Sequence, residues 1–227
     1  MEKMSACYDV DGTLAKGMLV IPLMMSEYEH GIINENTFAK LNDILSHYKS
    51  GDVTYEIAAQ QLLKAHAAGL EGQSENDLET HANKFVQQND GLFRSFGKNV
   101  INLLKPYYKQ VIVTTEPQYL AEAIVDYYDA DEVLSTQYEV EGGKFTGRIS
   151  SSLADRVAKL DALRGRKVAY AFGDSESDIE MLRMATNAFC IDPTDGLRKL
   201  GLESGWHIYD GSDSRIVQDI QRILKTD

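Results

Sequence analysis

Asp9 and Asp11 stand one residue apart, where a short run of strand-forming residues, Ser5 to Tyr8, gives way to Gly12. On extended backbone, residues two apart point to the same side, so both carboxylates converge on one place. Crowding two negative charges costs free energy, and a chain that does so at a strand end has a reason in a turn or in a site. An Asp-Gly turn closing a hairpin with solvated aspartates is one reading. The other is a ligand site at the carboxyl end of a strand in an α/β sheet, and the rest of the chain chooses between them.

Beyond Leu14 the pattern is helical. Met18 to His30 predicts a helix with Pro22 in its first turn and Gly31 as its stop. Asn36 is read as the N-cap of a helix carrying Phe38, Leu41, Ile44, Leu45 and Tyr48, which Ser50-Gly51-Asp52 ends. Thr54 caps a third helix that runs to Gly69, and Ser74 opens a fourth with Leu78, Ala82, Phe85 and Val86. No Pro/Gly-rich linker flanks this block, which reads as an insertion, residues 15–93, into a domain made of residues 1–14 and 94–227.

From Phe93 onward helix and strand alternate. A helix from Gly97 to Tyr108 precedes the β-branched run Gln110–Thr114, and Thr115 with Gln118 is read as a capping box for the next helix. A strand at 132–136, a hairpin turned at Gly142-Gly143 and a helix at 154–163 follow. Strand 167–172, helix 177–185, strand 187–191 and a helix from Ser214 to Leu224 complete the order. Such alternation predicts right-handed βαβ units around a mostly parallel sheet in a Rossmann-like three-layer α/β core, with the helical insert as a cap.

Composition narrows the function classes. The 227 residues carry a formal charge of -12, which argues against nucleic acid or an anionic membrane as main partner but leaves room for an anionic small substrate. Cys7 and Cys190 lie in apolar runs and read as reduced core residues. The first residues lack a hydrophobic signal region and the apolar run Met18–Met25 is too short to span a bilayer, so a cytoplasmic protein is expected. No feature of the sequence sets an oligomeric state.

Further polar residues fall at predicted strand ends: Thr114 after Val111-Ile112-Val113, and Gly173-Asp174-Ser175-Glu176-Ser177-Asp178 after Ala169–Phe172. Lys159, with Arg156 as a rival, lies on the helix before that last strand. In a parallel sheet these positions share one edge. Hard carboxylate oxygens of Asp9 and Asp174 suit Mg2+. Asp9 is placed to attack phosphorus, and Asp11 to protonate the leaving oxygen and then deprotonate water. Lys159 and Thr114 are suited to the non-bridging oxygens.

Asp9-Val10-Asp11-Gly12-Thr13, Thr114, Lys159 and Gly173–Asp178 resemble the four motifs of the haloacid dehalogenase superfamily of hydrolases. The helical insert and Lys144-Phe145-Thr146-Gly147 are similar to the branch typified by phosphoserine phosphatase. The resemblance implies a mobile cap and Mg2+ held by Asp9, the Asp11 backbone carbonyl and Asp174. It implies that Asp178 supports the metal shell through water and that Thr13 and Ser175 shape the site. The implied activity is hydrolysis of a small phosphomonoester through an aspartyl-phosphate. Phosphotransfer to another acceptor, or a receiver-like signalling domain, are the alternatives.

Thr13, Thr115, Lys16 and Met18 are expected to contact the substrate, with Glu116 and Arg94 as further specificity candidates. Asp11 separates the chain from dehalogenases. Gly12 stands where phosphoserine phosphatases usually have serine, and Ala15–Leu19 lacks the acidic residue that holds the substrate amine there. Those departures argue for another ester, with Glu27 or Glu29 the remaining amine partners. The five histidines read as surface or packing residues.

Overall fold

The computed structural model describes residues 3–154, 156–212 and 215–225. Position 155, inside the predicted helix 154–163, and Ser214, the predicted start of the last helix, lie outside the described residues.

Among the described residues, seven strands form one sheet: β1 (Ser5–Tyr8), β2 (Lys109–Pro117), β3 (Glu132–Glu141), β4 (Lys144–Ser151), β5 (Val168–Gly173), β6 (Ala185–Ile191) and β7 (His207–Tyr209), in the order β4-β3-β2-β1-β5-β6-β7. Every pairing is parallel except β3 with β4. The chain winds from β1 out to β3 on one side and returns to β5 on the other, so the switch in winding direction falls between β1 and β5. At such a switch the connections leave a crevice beyond the strand ends. β5 also separates the strands of Cys7 and Cys190, and both thiols are free and buried, in line with their reading as reduced core residues.

Alternation along the strands builds both faces. Cys7, Val111, Val113, Ala171 and Cys190 pack one layer with Leu163, Leu182 and Leu197. Ala6, Tyr8, Ile112, Phe172 and Phe189 join the larger core on the other face. There Tyr8 stacks on Phe172 at 4.8 Å and Phe172 on Phe189 at 4.9 Å, a cross-strand ladder that ties β1 to β5 and β6.

Between β1 and β2 lie α1 (Val20–Glu29), α2 (Glu35–Ser50), α3 (Tyr55–Gly69), α4 (Glu75–Gln88) and α5 (Phe96–Leu104). Thr54 and Ser74 cap α3 and α4 as the sequence predicts. α2 differs: Asn34, not Asn36, accepts the Thr37 amide, because Asn36 already lies in the first turn. Pro22 is the third residue of α1, where its missing N–H has no intrahelical acceptor to lose. α5 stops at Leu104 rather than Tyr108, since Pro106 has no N–H to donate to the carbonyl four residues before it. Residues 14–16 and 92–94 run side by side as a two-strand neck, with Lys16 N–H on Leu92 O at 2.8 Å and Arg94 N–H on Leu14 O at 2.8 Å.

After β2 come α6 (Gln118–Tyr128), α7 (Arg156–Ala162), α8 (Ile179–Met184), α9 (Asp195–Ser204) and α10 (Arg215–Ile223). The capping box at Thr115 does not form. Pro117 keeps the preceding residues extended, so β2 runs through them, and Pro117 becomes the N-cap of α6. Gln118 instead pairs with the Tyr138 backbone in both directions. The predicted helix 177–185 is a tight turn, Glu176–Asp178, followed by α8. Gly142 and Gly143 both take positive φ at the tip of the β3–β4 hairpin.

One buried polar network joins the inserted helices to the sheet. Glu27 of α1 meets His66 of α3 at 2.6 Å and accepts the Tyr119 hydroxyl at 2.7 Å, while His66 reaches the Tyr138 hydroxyl at 3.2 Å. Glu27 and His66 are fully buried. Removing one partner strands the others without water. Glu27→Leu is therefore expected to destabilise the chain by about 3 kcal/mol, read as a lower midpoint in urea; an unchanged midpoint would contradict the network's weight.

Candidate active site

Asp9 is the first residue beyond β1, and its N–H donates to Phe172 O of β5 at 3.0 Å. Parallel pairing with β5 then sets Asp9 beside the Gly173–Asp178 loop. Lys159, on α7, is only 2% exposed and threads between them. Its Nζ donates to Asp9 Oδ1 at 2.9 Å and to Asp178 Oδ1 at 2.7 Å. Burial pulls the ammonium's pKa down, but Asp178 and Asp9 outweigh it and hold it well above the usual lysine range. Arg156, the rival cation, pairs at 3.6 Å with Glu180.

Asp178 is a fastener as well as a charge. Its Oδ2 accepts the Asp174 and Ser175 amides at 3.1 and 3.3 Å, closing the loop that presents Asp174. Gly173 is needed beneath it, since a Cβ there would sit 2.5 Å from Asp178 Cβ. Gly12 faces the same demand: its φ is +77°, and a Cβ would lie 2.0 Å from Asp174 Oδ2. Arg94 steadies that turn by donating Nε and Nη2 to Gly12 O at 3.2 and 3.0 Å and pairing with Asp192 at 2.6 Å.

One carboxylate oxygen each from Asp9, Asp174 and Asp178 lies within 4.8 Å of the others. Lys159 pairs with two of the three acids and leaves Asp174 without a cation among the described residues, and the donors are hard oxygens, which fits a small divalent cation such as Mg2+. Burial and then Asp178 push Asp9 up to about 7, and burial with Asp9 pushes Asp174 up to about 9.

Asp11 turns away from this cluster. Its Oδ1 accepts the Leu19 amide at 2.9 Å, and Glu116 Oε1 accepts the neighbouring Val20 amide at 3.1 Å. The start of α1 thus holds both acids by its unpaired N–H groups. Glu116 Oε2 is buried with no donor among the described residues. Burial and the adjacent Asp11 raise the Glu116 pKa well above the carboxylate range, and burial chiefly raises that of Asp11.

Thr114 is buried at the carboxyl half of β2, its Oγ1 accepting the Glu116 amide at 3.2 Å. Thr13 is fully buried, and its hydroxyl has no partner among the described residues. Thr115 and Met18 line a small inner pocket of about 20 Å3 with Asp11 and Glu116. Lys16 does not reach the cavity, because its Nζ donates to Gly91 O at 3.0 Å across the neck. Glu27 is committed to His66 and Tyr119 and is not free to hold a substrate amine. A cavity of about 440 Å3 opens beside Asp11 and Asp174, with Met18, Tyr48, Tyr55, Glu56 and Glu176 among its walls. Tyr48, Tyr55 and Glu56 escape sequence reading because they look like ordinary helix positions; only Glu176, inside the Gly173–Asp178 run, carried a signal.

A family model described as haloacid dehalogenase-like hydrolase matches residues 6–183. The phosphoserine phosphatase SerB1 of Mycobacterium tuberculosis is 31% identical over 120 residues, 49% of this chain and 38% of that protein. The chain thus spans less than half the length of this curated relative. Among solved structures, a protein of unknown function from Bordetella pertussis Tohama I superposes with a TM-score of 0.74 at 21% identity, covering 93% of this chain and 100% of that one. A substrate-bound phosphoserine phosphatase superposes with a TM-score of 0.63 at 18% identity, covering 100% of this chain and 98% of that one. At these identities the superpositions speak for the fold. No helix among the described residues is long and apolar enough to cross a membrane.

The raised values of Asp9 and Asp174 have a sign that can be tested. The native state holds protons that the unfolded chain has released, from near pH 4 up to about 7 and about 9 respectively. With EDTA present, Tm is expected to fall as pH rises from about 5 to about 9. Mg2+ should raise Tm, and more at about pH 8 than at about pH 6, because the ion replaces protons. A Tm that rises with pH without metal and ignores Mg2+ would contradict the charge assignment.

Proposed function

The chain belongs to the haloacid dehalogenase-like hydrolase family, and from that membership we propose that it is a Mg2+-dependent phosphatase of a small phosphomonoester, acting through an aspartyl-phosphate on Asp9. The observation that carries this reading is the Lys159 ammonium fixed between Asp9 and Asp178. It orients one Asp9 oxygen and sets a positive charge where phosphoryl oxygens must gather.

Asp9, Asp174 and, through its backbone carbonyl, Asp11 would hold Mg2+, with Asp178 supporting the shell. The ion would neutralise phosphate charge so that an anionic nucleophile can approach. An Asp9 oxygen forms the bond to phosphorus as the ester P–O bond breaks, and the departing alkoxide takes the proton of Asp11. Asp11 then removes a proton from water, whose oxygen attacks phosphorus and releases inorganic phosphate and Asp9. The raised pKa of Asp11 supports a group that enters the reaction protonated. Its bond to the Leu19 amide aims it from the core towards the inserted helices. Lys159 and the Thr114 hydroxyl bind non-bridging oxygens, and the Thr114 oxygen already takes the Glu116 amide, which leaves its proton for phosphate.

In this reading residues 15–93 are a cap over a catalytic core of residues 1–14 and 94–227. The paired neck at 14–16 and 92–94 is the hinge. Met18 and Thr115 meet the substrate, while Thr13 supports the loop from beneath.

Asp9→Asn should lose turnover of p-nitrophenyl phosphate by at least about a thousandfold, while its far-UV circular dichroism stays native. Acid quench of the wild-type reaction with labelled ester should trap radioactivity on the protein, and EDTA should abolish turnover. Undiminished activity of Asp9→Asn would remove Asp9 as nucleophile.

A further inference from the structure

If the chain is a phosphatase, the alcohol half of the ester has to lie in the cavity of about 440 Å3 beside Asp11 and Asp174. The walls of that cavity are chemically one-sided. They contain no lysine, arginine or histidine among the described residues. The nearby cations are engaged elsewhere: Lys159 with Asp9 and Asp178, Arg94 with Asp192 and Gly12 O, and Lys16 with Gly91 O. Arg156 lines not this cavity but a second one, which shares Glu56 as a wall, and it pairs with Glu180. A carboxylate on the substrate would lose water there without meeting a positive charge.

The same walls suit a cation. Tyr48, at the end of α2, and Tyr55, at the start of α3, meet with ring centroids 6.1 Å apart and planes at 68°, forming an aromatic corner. Met18 adds a polarizable thioether. Glu56, one residue past Tyr55, and Glu176 bring two carboxylates to the walls beyond the site aspartates. Glu176 is seated on the first turn of α9, where its Oε1 occupies the space that a Cβ on Gly196 would take. Aromatic faces with nearby acids recognise ammonium groups, quaternary ones included.

We propose that the leaving group is an alkanolamine: the substrate is the phosphate monoester of a short amino alcohol that carries an ammonium group and no carboxylate. Hydrolysis consumes one water and yields the free amino alcohol and inorganic phosphate. Tyr48, Tyr55 and Glu56 are the residues that select it. This rests on the phosphatase reading and adds to it the charge of the group that leaves.

The test compares kcat/KM, with saturating Mg2+, for 2-aminoethyl phosphate, its N-trimethyl analogue, the neutral 2-hydroxyethyl phosphate and O-phosphoserine, with p-nitrophenyl phosphate as a reporter of basal chemistry. At least one cationic ester should exceed both the neutral ester and O-phosphoserine by about tenfold or more. Tyr48→Leu and Glu56→Gln should each reduce the cationic-to-neutral ratio by about tenfold, and Tyr48→Phe should retain it. A ratio taken on one preparation does not depend on how much of a variant is folded. Equal turnover of cationic and neutral esters, preference for O-phosphoserine, or ratios unmoved by these substitutions would overturn the proposal, while hydrolysis of p-nitrophenyl phosphate would leave the phosphatase reading standing. Hydrolysis of none of the five would overturn both.

Discussion

One buried ammonium organises this molecule's chemistry. Lys159 arrives from α7 into a space where β1 and the loop after β5 each bring an aspartate, and neither acid could be tolerated there alone. Its two short bonds fix the Asp9 carboxylate relative to Asp178, and Asp178 in turn closes the loop that carries Asp174. The geometry of three chain segments far apart in sequence therefore rests on one side chain. Parallel pairing of β1 with β5 makes this possible, because it sets both strand ends at the same height.

The inserted helices are bound to this centre in two ways. At the site, the first amides of α1 donate to Asp11 and Glu116, so the helix start is tied directly to both acids. Away from the site, Glu27, His66, Tyr119 and Tyr138 form a dry polar joint between α1, α3, α6 and β3. The neck at 14–16 and 92–94 is backbone-paired. The helical insert consequently presents Met18, Tyr48, Tyr55 and Glu56 to the cavity that Asp11 and Asp174 border from the sheet.

Much of the fold was legible because local rules agree. Alternating apolar runs placed the strands, Thr54 and Ser74 announced their helices, and Gly142-Gly143 announced its hairpin. Errors arose where a local signal had a competitor. Thr115 looked like a cap until Pro117 kept the chain extended, and Pro106 ended α5 early. Lys16 and Glu27 were plausible site residues by position, but one is taken by the Gly91 carbonyl and the other by His66. A sequence names side chains that can reach; it does not name their rivals for the same bond.

The sequence by itself singled out Asp9, Asp11, Thr114, Lys159, Asp174 and Asp178 as candidates for the proposed chemistry, because carboxylates at strand ends need a reason that few other patterns supply, and Asp9, Lys159, Asp174 and Asp178 do gather in one cluster. It also determined the doubly wound α/β core, through the period-2 and period-3.6 patterns that alternate along it. Only the tertiary structure decided how these residues are used. Lys159 is buried between two acids instead of solvated, Gly12 is required by the closeness of Asp174, and Glu116 is pressed against Asp11. The chemical character of the cavity wall was likewise decided there. Tyr48 and Tyr55 lie on different helices, and whether their rings form a corner depends on how α2 and α3 pack, a long-range outcome that no local pattern encodes.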